Sequence, residues 1–406
     1  MSSSPSSLRM TPAERRASGW LAALFALRML GLFLILPVFS VHARGLAGSQ
    51  QMGLVGLAIG IYGLTQAVLQ IPYGWASDRW GRRPVILAGL GVFAAGSFIA
   101  AASDTLAGIT VGRALQGAGA ISAAVTAFIA DSTRDEVRTK AMAMVGGSIS
   151  LAFAVSLAFA PWLYSVIGMA GLFSMTGGLA LAGGWVVWRL VPEVPQLPAA
   201  PIGTAWRTVL GHPELRRLNL GVFLLHTVQM AMFVVVPIAL VEHAGLPVRQ
   251  HGWLYLGVVV LAIAGMVPPM VWSERRQQLR AVFLGAVALL ALTQVALAWG
   301  WTRPVPLIAL LVCFFISFNL LEANMPSLVS RVAPPAAKGL ALGVFNTCQS
   351  LGLFAGGLLG GRLLGSWGHS AVFQVCAVLA GLWLVLAWPM RPPARQRVKA
   401  EAEVSG

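Results

Sequence analysis

Four ionisable side chains interrupt long apolar stretches of this sequence: Arg28, Arg113, His226 and Glu322. A charge inside a bilayer is costly, so such residues usually face a cavity or a partner and mark a functional site. Glu322 and His226 could carry protons, because a desolvated carboxyl group binds a proton more readily than one in water and histidine titrates near neutral pH. We expect Glu322 to be the principal proton site, with His226 as its partner or as a second site.

The sequence leaves other roles open for these residues. Glu322 could form a static ion pair with an arginine, and His226 could be a neutral histidine hydrogen-bonded in the core. Arg28 could hold an anionic group of a substrate or balance the charge of Glu322. Asn319 and Asn324 flank Glu322 and are candidates for lining the same central cavity, although polar side chains within a membrane also join helices to one another.

The chain around these residues is too apolar for an ordinary soluble domain. Hydrophobic residues make up 57% of the 406 residues and charged residues 10%. Apolar runs of about 20 residues, the length that a helix needs to cross a bilayer, recur along nearly the whole chain. We therefore predict an all-α integral membrane protein with twelve transmembrane helices, at about residues 18–41, 52–75, 84–102, 106–131, 140–164, 169–190, 216–241, 252–272, 280–299, 304–330, 338–363 and 370–390.

Interruptions between the apolar runs predict the domain organisation. Prolines after the sixth predicted span exclude a regular helix, so residues 191–215 are expected to be a cytoplasmic linker. It separates an N-terminal six-helix bundle, 18–190, from a C-terminal one, 216–390. The polar residues 1–17 are expected to form a cytoplasmic segment before an uncleaved first span, and residues 391–406 a disordered cytoplasmic tail.

The net charge of +15, from 28 basic and 13 acidic residues, indicates membrane topology rather than nucleic-acid binding. With the N-terminus placed inside, 22 basic residues fall at cytoplasmic ends and loops, four on the other side and two within the membrane. This asymmetry follows the positive-inside rule. It predicts a multi-pass protein of the bacterial inner membrane with both termini in the cytoplasm.

The sequence carries no signature of a cofactor or a metal. The three cysteines fall within predicted spans, at spacings that suggest neither a metal site nor a disulfide, and the nucleotide motif G-x-x-x-x-G-K-[ST] is absent. No nucleophile–base pair indicates an enzyme. We expect a protein without cofactors that uses a proton gradient as its energy source.

A charged segment, residues 74–83, separates the second and third predicted spans. Its key residues are Gly74, Asp78, Arg79, Gly81, Arg82 and Arg83, in the pattern G-x-x-x-D-R-x-G-R-R. This latch segment resembles the loop between helices 2 and 3 of the major facilitator superfamily. Gly81 would allow a tight turn, and the charges could form salt bridges that break as helices slide. The alternative is that these arginines simply obey the positive-inside rule.

The resemblance extends to residues of the fourth and fifth predicted spans. Asp131 is placed beside the latch segment, where it could accept a hydrogen bond from Arg82 or else end a solvated helix. The residues Arg113, Gln116, Gly117 and Gly119 match the helix 4 motif R-x-x-Q-G-x-G of the superfamily. The glycines of this motif allow close helix approach, and the resemblance associates its arginine with proton coupling.

The fifth span departs from the drug-antiporter pattern G-x-x-x-G-P. The corresponding residues run from Ser156 to Ala160 and Pro161, so the proline and small side chains remain while both glycines are replaced. Close packing and a kink are still possible. The departure weakens the assignment to the drug antiporters.

Four further runs resemble the YajR-type drug/proton antiporters within the superfamily: residues 59–68, 112–117, 138–142 and 321–328. Members of that group can carry an extra soluble domain after helix 12, which we do not expect here. The resemblance implies the major facilitator fold, with two pseudo-symmetric bundles and a substrate site between them.

The function implied by the resemblance is proton-coupled export of a small drug-like or amphipathic molecule by a monomer that alternates access across the lipid bilayer. One alternative is an importer or facilitator of a small anionic metabolite, which Arg28 and Arg113 would suit. A less favoured alternative is a membrane sensor or scaffold without transport.

Overall fold

The computed structural model describes residues 10–47, 50–192, 203–334 and 337–390, which form twelve α-helices. The helices are α1 (Pro12–Ala43), α2 (Met52–Trp80), α3 (Arg82–Ala101), α4 (Leu106–Ala118), α5 (Ser122–Asp131), α6 (Asp135–Arg189), α7 (Gly203–Gly211), α8 (Pro213–Glu242), α9 (Val248–Arg276), α10 (Leu279–Gly300), α11 (Pro304–Val332) and α12 (Lys338–Ala387). Ten helical segments are long and apolar enough to cross a membrane, with α4 and α5 counted as one. The all-α class predicted from the sequence is confirmed.

Two of these segments, in α6 and α12, each contain two predicted spans. α6 bends at Gly168, where φ is 66°, and α12 bends at Gly368, where φ is 77°. A residue with a Cβ rarely adopts a positive φ, so glycine is the residue that can turn the chain here. The loops expected between spans 5 and 6 and between spans 11 and 12 are therefore reduced to bends.

The structure corrects the predicted boundaries at three places. α1 begins at Pro12, because Thr11 and Glu14 form a capping box in which each side chain bonds the backbone amide of the other. α2 continues to Trp80, so most of the latch segment is helical and only Gly81, with φ of 100°, separates α2 from α3. The predicted fourth span is broken between α4 and α5.

The predicted linker and termini lie partly outside the described residues. Within residues 191–215 the structure contains α7 and the start of α8, whereas residues 193–202 are not described. The predicted tail, 391–406, and the first nine residues are not described either.

The two halves of the chain, α1 to α6 and α8 to α12, pack tightly at one end of the bundle. A Cβ added at Gly56 of α2 would lie 2.1 Å from the carbonyl oxygen of Gly357 on α12, and one at Gly63 would lie 2.3 Å from that of Ser350. Such backbone contact is possible only between small residues. We call this the far end, where α1 ends at Ala43 and α8 ends at Glu242.

The opposite end, where Gly81 joins α2 to α3, is the motif end. Here a Cβ added at Gly339 or Gly343 of α12, or at Gly146 or Gly147 of α6, would meet no atom within 4 Å. At the far end, by contrast, an ion pair between Arg44 and Glu242 joins the halves. The halves are thus in close contact at the far end, whereas these glycines of the motif end are not packed against the other half.

Candidate functional site

Glu322, His226 and Gln349 form a polar cluster within the C-terminal half, on α11, α8 and α12. The Gln349 Nε2 atom lies 2.7 Å from His226 Nε2 and 3.3 Å from Glu322 Oε1. Glu322 Oε2 lies 3.6 Å from His226 Nε2. The structure thus brings together the two residues that the sequence singles out as proton carriers, and adds an amide that bridges them.

The hydrogen bonds of this cluster fit a neutral imidazole. His226 Nδ1 lies 3.0 Å from the carbonyl oxygen of Val222 and can only donate to it, which leaves Nε2 to accept from the Gln349 amide. The second amide hydrogen of Gln349 is directed to Glu322. A proton added to Nε2 would place two N–H donors against each other, so the Gln349 amide would have to turn away.

The two titratable groups differ in access. The side chain of Glu322 is 35% exposed, whereas that of His226 is 5% exposed. Because Glu322 contacts residues of α8 and α12, this exposed face lies within the bundle. The Oε2 atom of Glu322, on the side of His226, is itself buried and has no hydrogen-bond partner among the described residues.

An aromatic cluster adjoins this polar group on its far-end side. Phe318 packs edge-on against His226 with ring centroids 5.8 Å apart, and Phe153 lies 5.0 to 6.2 Å from four phenylalanine rings of both halves: Phe33, Phe233, Phe315 and Phe318. Sequence reasoning missed this cluster, since its members come from four helices. The closely spaced phenylalanines of α11, just before Glu322, were the available signal.

Arg28 is bound entirely within the N-terminal half. Its guanidinium donates to Ser122 Oγ at 3.1 Å, to Tyr62 Oη at 2.8 Å and to Gln66 Oε1 at 3.4 Å. It also donates to the carbonyl oxygen of Gly119 at 3.3 Å, in the break between α4 and α5. The expectation that Arg28 balances Glu322 does not match these contacts, because its acceptors are all in its own half.

A hydrogen-bonded path crosses the interface beside Arg28. Gln66 accepts from Arg28 and donates through Nε2 to Ser350 Oγ of α12 at 3.1 Å. Ser350 follows Gln349, which belongs to the polar cluster. Ser350 Oγ itself donates to the carbonyl oxygen of Asn346 at 3.0 Å. The described hydrogen bonds therefore link Arg28 to α12 and end at its backbone, without reaching Glu322.

Arg113 and its motif join α4 to its neighbours. Arg113 donates to the carbonyl oxygens of Ala58 and Ile59 at 3.4 and 3.1 Å and to Gln116 Oε1 at 2.9 Å. Gln116 donates in turn to Ser97 Oγ at 2.8 Å. A Cβ atom added at the motif glycine Gly117 would lie 2.2 Å from the backbone carbonyl oxygen of Tyr62. One added at Gly119 would lie 2.4 Å from the backbone carbonyl oxygen of Gly89. The motif therefore packs α4 against α2 and α3.

We expect Arg113→Met to lower the free energy of unfolding by about 2 kcal/mol, because it leaves Gln116 and two backbone oxygens without a buried donor. Thermal unfolding in detergent, followed by tryptophan fluorescence, measures the effect. Arg249→Gln, at an exposed position, is the control. Equal unfolding temperatures for both variants would contradict the structural role of Arg113.

The latch segment is bound within the N-terminal half at the motif end. Arg82 donates through Nε to Asp131 Oδ2 at 2.8 Å, so the contact expected between these residues is present, and it also bonds Asp78 and Ser77. Arg83 donates to the carbonyl oxygen of Val191 at 2.5 Å. Two members have other surroundings: Arg79 lies 5.6 Å from the ring of Trp75, and Gly74 faces Ala123 of α5.

The remaining candidates lie near the site without joining the cluster. Asn324 donates to the carbonyl oxygen of Leu320 in its own helix at 2.6 Å, and Asn319 is half-buried on α11. Pro161 lies inside α6, three residues after Ala158, whose carbonyl approaches Gly252 of α9 at the far end.

The sequence profile of the Major Facilitator Superfamily matches residues 21–356 and, in a second match, residues 218–405. The chain belongs to the major facilitator superfamily and is a membrane transporter of that family, which confirms the resemblance of its motifs. It is 42% identical over 389 residues to the inner membrane transport protein YajR of Escherichia coli (strain K12), covering 95% of this chain and 85% of that protein. It is also 26% identical over 364 residues to the multidrug resistance protein MdtH of Aeromonas hydrophila, covering 87% of this chain and 89% of that protein.

Solved structures share the fold. A bacterial homolog of the human lysosomal transporter Spinster, in an inward-facing and occupied conformation, superposes with a TM-score of 0.74 at 14% identity, covering 94% of this chain and 97% of that one. The human organic anion transporter MFSD10 (TETRAN) gives a TM-score of 0.68 at 21% identity, covering 93% and 100%. The predicted major facilitator fold is confirmed.

Proposed function

We propose that this transporter is proton-coupled and exports a small amphipathic or drug-like molecule by alternating access. The observation that carries the proposal is Glu322, whose side chain is partly exposed and whose carboxylate lies beside a buried histidine and an aromatic cluster. We further propose that the protein acts as a monomer in the bacterial inner membrane, without a cofactor. The similarity to a multidrug resistance protein supports a drug-like substrate.

The distribution of charge supports an orientation of the molecule in the membrane. If the basic motif end faces the cytoplasm, as the positive-inside rule predicts, the close contact at the far end and the unpacked glycines at the motif end fit an inward-facing state. In that state Glu322 would be accessible from the cytoplasm. Opening the far end and closing the motif end would give the same carboxylate access to the other side.

Competition for Glu322 would couple the two fluxes. An ionised carboxylate beside aromatic rings attracts a lipophilic cation through charge and through ring contacts. A proton on the carboxylate removes that attraction and alters the Gln349 hydrogen bonds, which favours release of the cation. One site that holds either a proton or the substrate gives exchange of the two.

The aromatic cluster would form the apolar wall of the substrate site. Phe33 and Phe153 belong to the N-terminal half, whereas Phe233, Phe315 and Phe318 belong to the C-terminal half. Movement of one half against the other therefore separates these rings. A bound aromatic molecule would occupy the space between them, so its affinity depends on the conformation of the halves.

Import of a small anion has less support. Arg28 and Arg113 are each 1% exposed, and each is surrounded by acceptors of the N-terminal half. Binding an anion to either guanidinium would require breaking several of these hydrogen bonds. Of the four ionisable residues, the one with a partly exposed side chain is instead the acidic Glu322.

Uptake of a fluorescent lipophilic cation into everted vesicles tests the proposal. We expect an acid-inside gradient to drive accumulation, since protons leaving the vesicle exchange for the cation, and an uncoupler to discharge it. Vesicles without the transporter are the control. Accumulation that is unchanged when the gradient is dissipated would contradict proton coupling. Vesicles that the gradient cannot load, but that release a preloaded small anion through the transporter, would favour the importer.

A further inference from the structure

A second group of titratable side chains lies at the far end, away from the central site. It consists of Glu242 and His243, at the end of α8, and His369, which follows the bend of α12. One ligand atom from each residue lies within 4.8 Å of the others. The two histidines are far apart in sequence, which is why spacing did not reveal the group.

Trp301 packs against both imidazoles. Its ring stacks on His369 at 4.3 Å and 10°, and meets the ring of His243 edge-on at 4.4 Å. Its Nε1 atom donates to Ser370 Oγ at 2.9 Å, which anchors the indole. His369 Nε2 is buried without a hydrogen-bond partner among the described residues. A buried nitrogen of this kind has unused capacity to bind a ligand.

Two imidazole nitrogens and one carboxylate are a donor set suited to Zn²⁺ and similar divalent transition metals. Tetrahedral ligands at the usual zinc bond lengths of about 2.0–2.1 Å lie roughly 3.3 Å apart. Glu242 and His243 are exposed, so their side chains can rotate to close the remaining distance. A water molecule would complete the coordination.

Arg44 of the N-terminal half already binds one of these ligands. It forms an ion pair with Glu242 that joins α1 to α8 across the interface at the far end. A metal bound to the Glu242 carboxylate would neutralise the charge that attracts Arg44. The carboxylate of Glu242 therefore cannot bind the metal ion and the Arg44 guanidinium at full strength at the same time.

We propose that a divalent transition metal such as Zn²⁺ binds Glu242, His243 and His369 in competition with Arg44, and thereby favours opening of the far end. A ligand that binds better to one conformation shifts the population towards it, by an amount set by its differential affinity. This regulatory step rests on the proposed alternating access of the halves. The binding site itself does not depend on what is transported.

Zinc titration of the purified protein, freed of any tag histidines, tests the site by calorimetry. We expect one Zn²⁺ per chain, and an affinity weakened about tenfold or more when His243→Ala and His369→Ala are combined. Arg44→Gln should strengthen binding because it removes the competitor. His212→Ala, at the motif end, and Arg249→Gln should leave binding unchanged. Binding that is absent, or unaffected by the double substitution, would overturn the proposal.

A distance measurement tests the coupling to conformation. Spin labels on Asp104→Cys and Gln250→Cys, in a variant without the native cysteines, report the separation of the halves at the far end. Zn²⁺ should populate longer distances, and should fail to do so with the double histidine substitution. An unchanged distance despite stoichiometric binding would refute the coupling. Neither readout uses transport, so loss of the proposed proton-driven export would be recognised separately.

Discussion

Replacing Glu322 by glutamine is expected to remove nearly all proton-driven accumulation of a lipophilic cation in proteoliposomes. Glutamine keeps the size of the side chain and can still bond Gln349, so the fold should be retained. It can neither bind a proton nor attract a cation, and both partners of the exchange would lose their common site. Accumulation under an imposed pH gradient, compared with an equal amount of the unmodified protein, measures the effect.

Two further variants make this prediction specific. Asn324→Ala, on the same helix, removes an amide that bonds only its own helix backbone among the described residues, so coupling should persist. His226→Gln should slow transport without abolishing its dependence on the gradient, because Glu322 remains. Full gradient-driven accumulation by the Glu322→Gln protein would refute the assignment of this carboxylate as the proton site.

The second large effect is expected from Gly56→Ala, which adds only one methyl group. The added Cβ would lie 2.1 Å from the Gly357 carbonyl oxygen and 2.9 Å from the Gly361 Cα atom, and neither backbone atom can move away alone. Overpacking of this kind costs about 1–3 kcal/mol. The cost applies only while the far end is closed, so the conformational equilibrium should shift towards states in which α2 and α12 separate there.

The spin labels at positions 104 and 250 measure this shift as longer distances in the Gly56→Ala protein, accompanied by reduced transport. Gly343→Ala is the matched control, because its added Cβ on α12 meets no atom within 4 Å. It should leave both the distances and the transport unchanged. Equal distance distributions for the two variants would show that close contact between α2 and α12 does not control the far end.

The membrane-spanning character of the chain and its family were accessible from the sequence, since both depend on local patterns. Apolar runs of spanning length and the distribution of basic residues require no knowledge of packing. The latch segment and the R-x-x-Q-G-x-G motif are contiguous in the chain, so their resemblance to the superfamily could be recognised. The four ionisable residues within apolar runs were visible for the same reason.

The partners of those residues depend on how the helices pack. The apolar run around Arg28 would look the same whether its side chain faced Glu322 or the break between α4 and α5. Helix packing places it against Tyr62, Ser122 and Gly119. Gln349 joins Glu322 and His226 because α12 brings it between α8 and α11. Hydrophobic pattern specifies that a segment is a membrane helix, but contains little information about which face meets which neighbour.

Some helix ends could be predicted from local sequence signals and others could not. The capping box at Thr11 and Glu14 is a local signal that could have moved the start of α1 to Pro12. The sequence did not predict that α2 continues to Trp80. Its charged residues indicate the end of the membrane span, but such residues can remain helical in contact with water. Local chemistry thus specified the helices, their membrane environment and the family, whereas long-range contacts specified the polar cluster, the aromatic cluster and the closed far end.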